Sequence, residues 1–144
     1  MKTIVVSGGQ SNIGKTSLVL ALCELLPGAV AVKLGHGAQN VAKPGAFYPA
    51  GTDFSEVAAN HPQAAWLVIE SNRILEQITA DLVIYLPSDA PKPSAHLAAK
   101  KADLTRGVPA DQAKINNLAH RLGLDSDTMR RICWLCGARD CSSQ

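Results

Sequence analysis

The segment Gly9-Gln10-Ser11-Asn12-Ile13-Gly14-Lys15-Thr16 fits G-x-x-x-x-G-K-[ST] at every fixed position. The apolar run Thr3 to Val6 precedes it, and a helical pattern from Lys15 to Leu26 follows, with Leu18, Leu22, Leu25 and Leu26 on one stripe. Pro27-Gly28 ends that pattern. A glycine-rich turn between a strand and a helix can fold its amides into a concave nest for phosphate oxygens. The helix start adds a positive dipole end and unpaired amide donors. The segment Gly9 to Ser17 is therefore expected to cradle a polyphosphate. Lys15 would meet the β- and γ-phosphates, Thr16 would offer a hydroxyl to Mg²⁺, and Ser17 would lie near the α-phosphate.

Three further short runs read as strands: Ala29 to Leu34, Trp66 to Glu70, and Leu82 to Leu86. They are mostly continuous apolar runs rather than alternating ones, which is how strands covered on both faces of a parallel sheet read. Helical patterns fall at Asp53 to Ala59, Ser94 to Lys101, Asp111 to Leu122 and Ser126 to Leu135, with Gly123 between the last two. The alternation predicts an α/β fold, a P-loop NTPase-like three-layer sandwich on a mostly parallel sheet. The expected organisation is a nucleotide-binding domain over residues 1–107 and a helical C-terminal extension over 108–144. Gly35 to Thr52, rich in Gly and Pro, reads as a long loop over the ligand site.

The chain has 144 residues and a net charge of +2, too weak a bias to make nucleic acid or an anionic membrane a default partner. No run approaches the ~20 apolar residues that span a bilayer, and the start gives way at once to Ser7-Gly8-Gly9 rather than to a cleavage-type segment. A cytoplasmic location is expected.

A phosphate cradle of this kind needs a carboxylate at a neighbouring strand end to serve Mg²⁺. Glu70, closing Trp66-Leu67-Val68-Ile69-Glu70, has that position. Lys33 and His36 follow the second strand; His36, between two glycines, is a candidate to orient a substrate or water, or is a solvated loop histidine. Asp53 is either a helix N-cap or a switch-type acid near Mg²⁺. Arg73 is the arginine nearest the Glu70 strand, but its spacing does not fix it as a charge-stabilising finger, so intrinsic hydrolysis is expected to be slow. Lys101-Ala102-Asp103 resembles the guanine-reading [NT]-K-x-D motif, yet Lys100 stands at the Asn/Thr position and a helix rather than a strand precedes it. A surface helix end is the preferred reading.

The order strand, phosphate loop, helix, Lys33-Leu34-Gly35-His36, Lys43-Pro44-Gly45 and an apolar strand ending in Glu70 resembles the molybdopterin-guanine dinucleotide biosynthesis protein B family, MobB. These are SIMIBI-class P-loop proteins, a class that also holds metal-insertion GTPases and dethiobiotin synthetase. The resemblance covers about residues 1–107 and departs at Ile69-Glu70-Ser71, where the family has a Val-Glu-Gly type of strand end, and in the family's histidine-rich segment, of which Lys33 and His36 remain. It implies GTP or ATP binding with Mg²⁺ and a supporting role in attaching a nucleotide to molybdopterin. It also implies a molybdopterin-processing partner protein and a homodimer.

Near the C-terminus, Cys133, Cys136 and Cys141 form C-x₂-C-x₄-C, a spacing that can grip Zn²⁺ or an Fe–S cluster if a fourth ligand is found, or that leaves free thiols. A P-loop metallochaperone is thus a second functional class. Asn117 to Ile132 has the outline of a helix-turn-helix, giving a third class, a regulatory module; two helices packing on the sheet is the preferred reading.

Overall fold

The computed structural model describes residues 1–9, 14–35 and 46–138. Six strands form one parallel sheet: β1 (Lys2–Gly8), β2 (Ala29–Gly35), β3 (Ala46–Pro49), β4 (Trp66–Glu70), β5 (Leu82–Leu86) and β6 (Leu104–Thr105), in the order β3-β2-β4-β1-β5-β6. The helices are α1 (Lys15–Leu25), α2 (Phe54–Asn60), α3 (His96–Lys101), α4 (Gln112–Leu122) and α5 (Ser126–Leu135). The architecture is α/β with helices on both faces of the sheet, the sandwich expected of a P-loop NTPase-like fold.

Side chains on a strand alternate between faces, so each central strand feeds two cores. Ile4, Val6, Trp66, Val68, Leu82, Ile84 and Leu86 join the core under α1, α4 and α5. Val5, Leu67, Ile69, Val83 and Tyr85 join the other, with Val57 of α2 and Ala98 of α3. Both faces need apolar residues, which is why these strands read as unbroken apolar runs. The last two helices share the first core: Ile115, Leu118, Leu122, Met129 and Ile132 are buried together with Ile4, Leu18 and Leu22.

The register brings β1 to the interior of the sheet. β1 pairs with β4, setting Val6 beside Glu70, and with β5, setting Gly8 beside Leu86. The carboxyl ends of β1, β4, β2 and β5 thus share one edge of the sheet, where open α/β folds bind ligands. Two strands lie outside the runs singled out above. Ala46–Pro49 pairs with β2 inside the segment expected to be loop, and Leu104–Thr105 pairs with β5. Both are short edge strands whose signal is tertiary pairing rather than an apolar run.

Candidate functional site

Helix α1 begins where Gly14 turns the chain. Its φ is +94°, a left-handed conformation that a side chain would oppose. The first amides of a helix have no intrahelical carbonyl to bond, so α1 directs donors and its dipole toward the carboxyl edge of the sheet. Gly14, Lys15, Thr16 and Ser17 line a cleft of about 750 Å³ there. Lys33 and Gly35 from the end of β2, Glu70 from the end of β4 and Arg73 just beyond it also line the cleft.

Glu70 is 7% exposed and makes two contacts. Its Oε1 accepts the Thr16 hydroxyl at 2.7 Å, and its Oε2 lies 3.3 Å from Lys33 Nζ. A hydroxyl and a carboxylate oxygen in direct contact are a pair of hard oxygen donors of the kind Mg²⁺ takes. Burial lowers the Lys15 pKa from its ordinary value; Glu70 opposes this, while Lys92 and Lys33 push the same way. The cleft thus concentrates positive charge around one carboxylate.

The residues beneath the cleft are fixed by polar contacts. Ser7 Oγ donates to the Ser71 carbonyl at 2.5 Å, and Asn72 Oδ1 accepts the Gly8 amide at 3.1 Å. Ser71 Oγ accepts the Ile74 amide at 3.1 Å, starting a single 3₁₀ turn over Ile74–Glu76. These bonds tie the end of β1 to the segment after β4.

Of the residues expected at the site, Gly14, Lys15, Thr16, Ser17 and Glu70 come together, with Arg73 beside them. Gly9 closes the end of β1, donating to the Leu86 carbonyl at 3.0 Å. Asp53 takes the N-cap position of α2, but its side chain makes no capping hydrogen bond and it is not among the residues lining the cleft. Gln10, Ser11, Asn12, Ile13, His36, Lys43-Pro44-Gly45 and Cys141 lie outside the described residues.

Cys133 and Cys136 are buried in the core under α5, where Cys136 Sγ donates to the Cys133 carbonyl at 3.4 Å. Burial raises the Cys136 thiol pKa, which keeps it protonated. Among the described residues no three His, Cys, Asp or Glu side chains gather as a metal site. Asp103 of the Lys101-Ala102-Asp103 segment is occupied elsewhere. Its Oδ2 accepts the Val83 amide at 2.8 Å and its Oδ1 pairs with Arg121 at 3.0 Å, below the carboxyl edge that Leu86 reaches. In the helix pair resembling a helix-turn-helix, Arg130 of the second helix is engaged by Asp127 and Gln112.

Among the cleft residues that sequence reading passed over are Asn72, Lys92 and Ser94. The signal for them is positional: each follows the carboxyl end of a strand adjacent to β1, where ligand-contacting loops are found. Comparison with family models, with characterised proteins and with solved structures finds no match. Among the described residues no helix is long and apolar enough to cross a membrane.

Proposed function

We propose that the chain is a P-loop nucleotide-binding protein that takes a nucleoside triphosphate with Mg²⁺. One observation carries the reading: Thr16 at the start of α1 and Glu70 at the end of β4 meet at 2.7 Å beside Lys15, in a cleft that otherwise gathers cations. Lys15 and the α1 amides would hold phosphate oxygens, and the Thr16–Glu70 pair would hold the metal. Bound Mg²⁺ supplies charge neutralisation on the phosphates.

Within that class, the likeness to the MobB family supports a role in molybdopterin-guanine dinucleotide formation. The nucleotide is then GTP, with ATP as the alternative. The chain would act with a molybdopterin-processing partner and as a homodimer, hydrolysing its nucleotide slowly by itself.

Calorimetric titration with GTP and ATP, with and without Mg²⁺, tests the first step. The wild-type chain should bind a triphosphate, and Lys15→Ala should remove that binding. Failure of both triphosphates to bind would refute the reading. Adding molybdopterin to the nucleotide-loaded protein tests the second step; binding no different from that of the unloaded protein would remove the MobB assignment and leave the nucleotide site standing.

A further inference from the structure

The connection from β5 to α3 grips the first glycine of the phosphate loop. Gly9 donates its amide to the Leu86 carbonyl at 3.0 Å, and its carbonyl accepts the Lys92 amide at 2.6 Å. Between those two anchors, Ser88 packs so closely that a Cβ placed on Gly9 would fall 2.2 Å from Ser88 Oγ. The segment from Leu86 to Lys92 is therefore clamped to the cradle by main-chain bonds at both ends. Lys92 is thereby held at the edge of the ligand cleft, which it lines together with Lys15, Thr16 and Lys33.

Strand order places these cations on opposite sides. Lys33 belongs to β2, beyond β4 on one side of β1, whereas Lys92 follows β5 on the other side. Lys33 is already paired with Glu70 at 3.3 Å, so Lys92 is the cation that the β5 side brings to the cleft. A chain of phosphates seated on Lys15 and the α1 amides extends its charge past them, to where a cation on that flank can meet it. Lys92 also lowers the pKa of Lys15, so the two ammonium groups are near enough to feel each other's charge.

We propose that Lys92 is a second polyphosphate-binding cation, positioned by the main-chain clamp on Gly9, which makes the cleft select nucleoside triphosphates over monophosphates. This inference rests on the nucleotide-binding reading given above. Its ligand class is a polyphosphate ester, and its contribution is a charge-assisted contact from the β5 side.

The test compares wild type, Lys92→Met, Lys92→Arg and Lys15→Ala by calorimetry with Mg-GTP, Mg-ATP, GMP and AMP. Because the clamp uses the Lys92 amide and not its side chain, both Lys92 variants keep it. Lys92→Met should weaken triphosphate binding about tenfold or more, the scale of one hydrogen bond to a charged group. It should change monophosphate binding by less than about twofold and flatten the salt dependence, since one screened charge is gone. Lys92→Arg should restore most of the loss. Wild-type affinity in Lys92→Met while Lys15→Ala abolishes binding would overturn the role of Lys92 alone. Equal losses in Lys92→Met and Lys92→Arg would also overturn it, and a wild-type protein that binds no triphosphate would overturn the underlying reading as well.

Discussion

Gly9→Ala is the substitution whose cost follows most directly from the structure. Gly9 has ordinary rather than left-handed backbone geometry, so the new methyl group is penalised by contact alone. It would stand 2.2 Å from Ser88 Oγ and 3.1 Å from both Ser88 Cβ and Ser88 N. Clearing the first contact needs a displacement of roughly 0.8 Å merely to reach a repulsive 3.0 Å, on the steep wall of the van der Waals potential. Among the described residues Ser88 Oγ is buried with no hydrogen-bond partner, so turning the hydroxyl breaks no bond but must find room in a filled interior. The Ser88 backbone cannot move freely, since Leu86 and Lys92 are bonded to Gly9 on either side of it. Overpacking of this kind costs about 1–3 kcal/mol. For a chain of this length that corresponds to a fall in melting temperature of roughly 3–10 °C.

Thermal unfolding of Gly9→Ala, Ser88→Ala and the double variant measures this as a cycle. Ser88→Ala alone should be neutral or slightly stabilising, because it removes a buried hydroxyl that no described residue satisfies. The double variant should recover part of the Gly9→Ala loss, leaving the two 3.1 Å contacts. Additivity within about 0.5 kcal/mol would refute the proposed contact, because residues that touch must couple.

Lys15→Met should raise the melting temperature of the ligand-free protein while removing triphosphate binding, which calorimetry and thermal unfolding check together. Burial lowers the Lys15 pKa, so the unfolded chain binds the extra proton, and wild-type stability should rise with pH through the lowered pKa toward 10.5; Lys15→Met should lack that rise. Glu70→Gln keeps an acceptor for the Thr16 hydroxyl but removes the charge, so triphosphate affinity should become nearly independent of Mg²⁺; an unchanged Mg²⁺ effect in titrations would exclude Glu70 as a metal ligand. Asp111 caps α4 through the Lys114 amide at 2.8 Å, and Asp111→Ala should cost about 1 kcal/mol in urea unfolding. The Thr128 amide bond lowers the Asp125 pKa, so its stabilisation is present above the ordinary carboxylate range and is lost as pH falls through the lowered native pKa; Asp125→Asn, which caps without titrating, should flatten that acid limb in pH-dependent melts.

Much of the fold was legible because its signals are local. Trp66–Glu70, Leu82–Leu86 and Ser126–Leu135 have the expected boundaries, since apolar runs and helical periodicity are properties of neighbouring residues. The turn at Gly14 and the helix that follows were legible for the same reason, each being written in a few consecutive side chains. The acid at Glu70 was also legible, as the last residue of an apolar run.

Asp53 marks one limit. Its sequence allowed a cap or a metal-site acid, and only the path of the chain from β3 into α2 puts it at the helix start and not among the residues lining the cleft. Cys133 and Cys136 mark another, because their spacing suits both a metal site and two packed thiols, and tertiary burial places them in the core.

The amino-acid order by itself determined the phosphate-loop motif, the strand–helix alternation and the carboxylate at a strand end, all of which are fixed by residues close in the chain. Only the tertiary structure decided that Thr16 meets Glu70, that Lys33 and Lys92 flank the cleft from opposite sides, and that edge strands form at Ala46–Pro49 and Leu104–Thr105. Those outcomes depend on parallel pairing between strands far apart in sequence. Its register is set by burial of the two sheet faces together, which no single segment encodes.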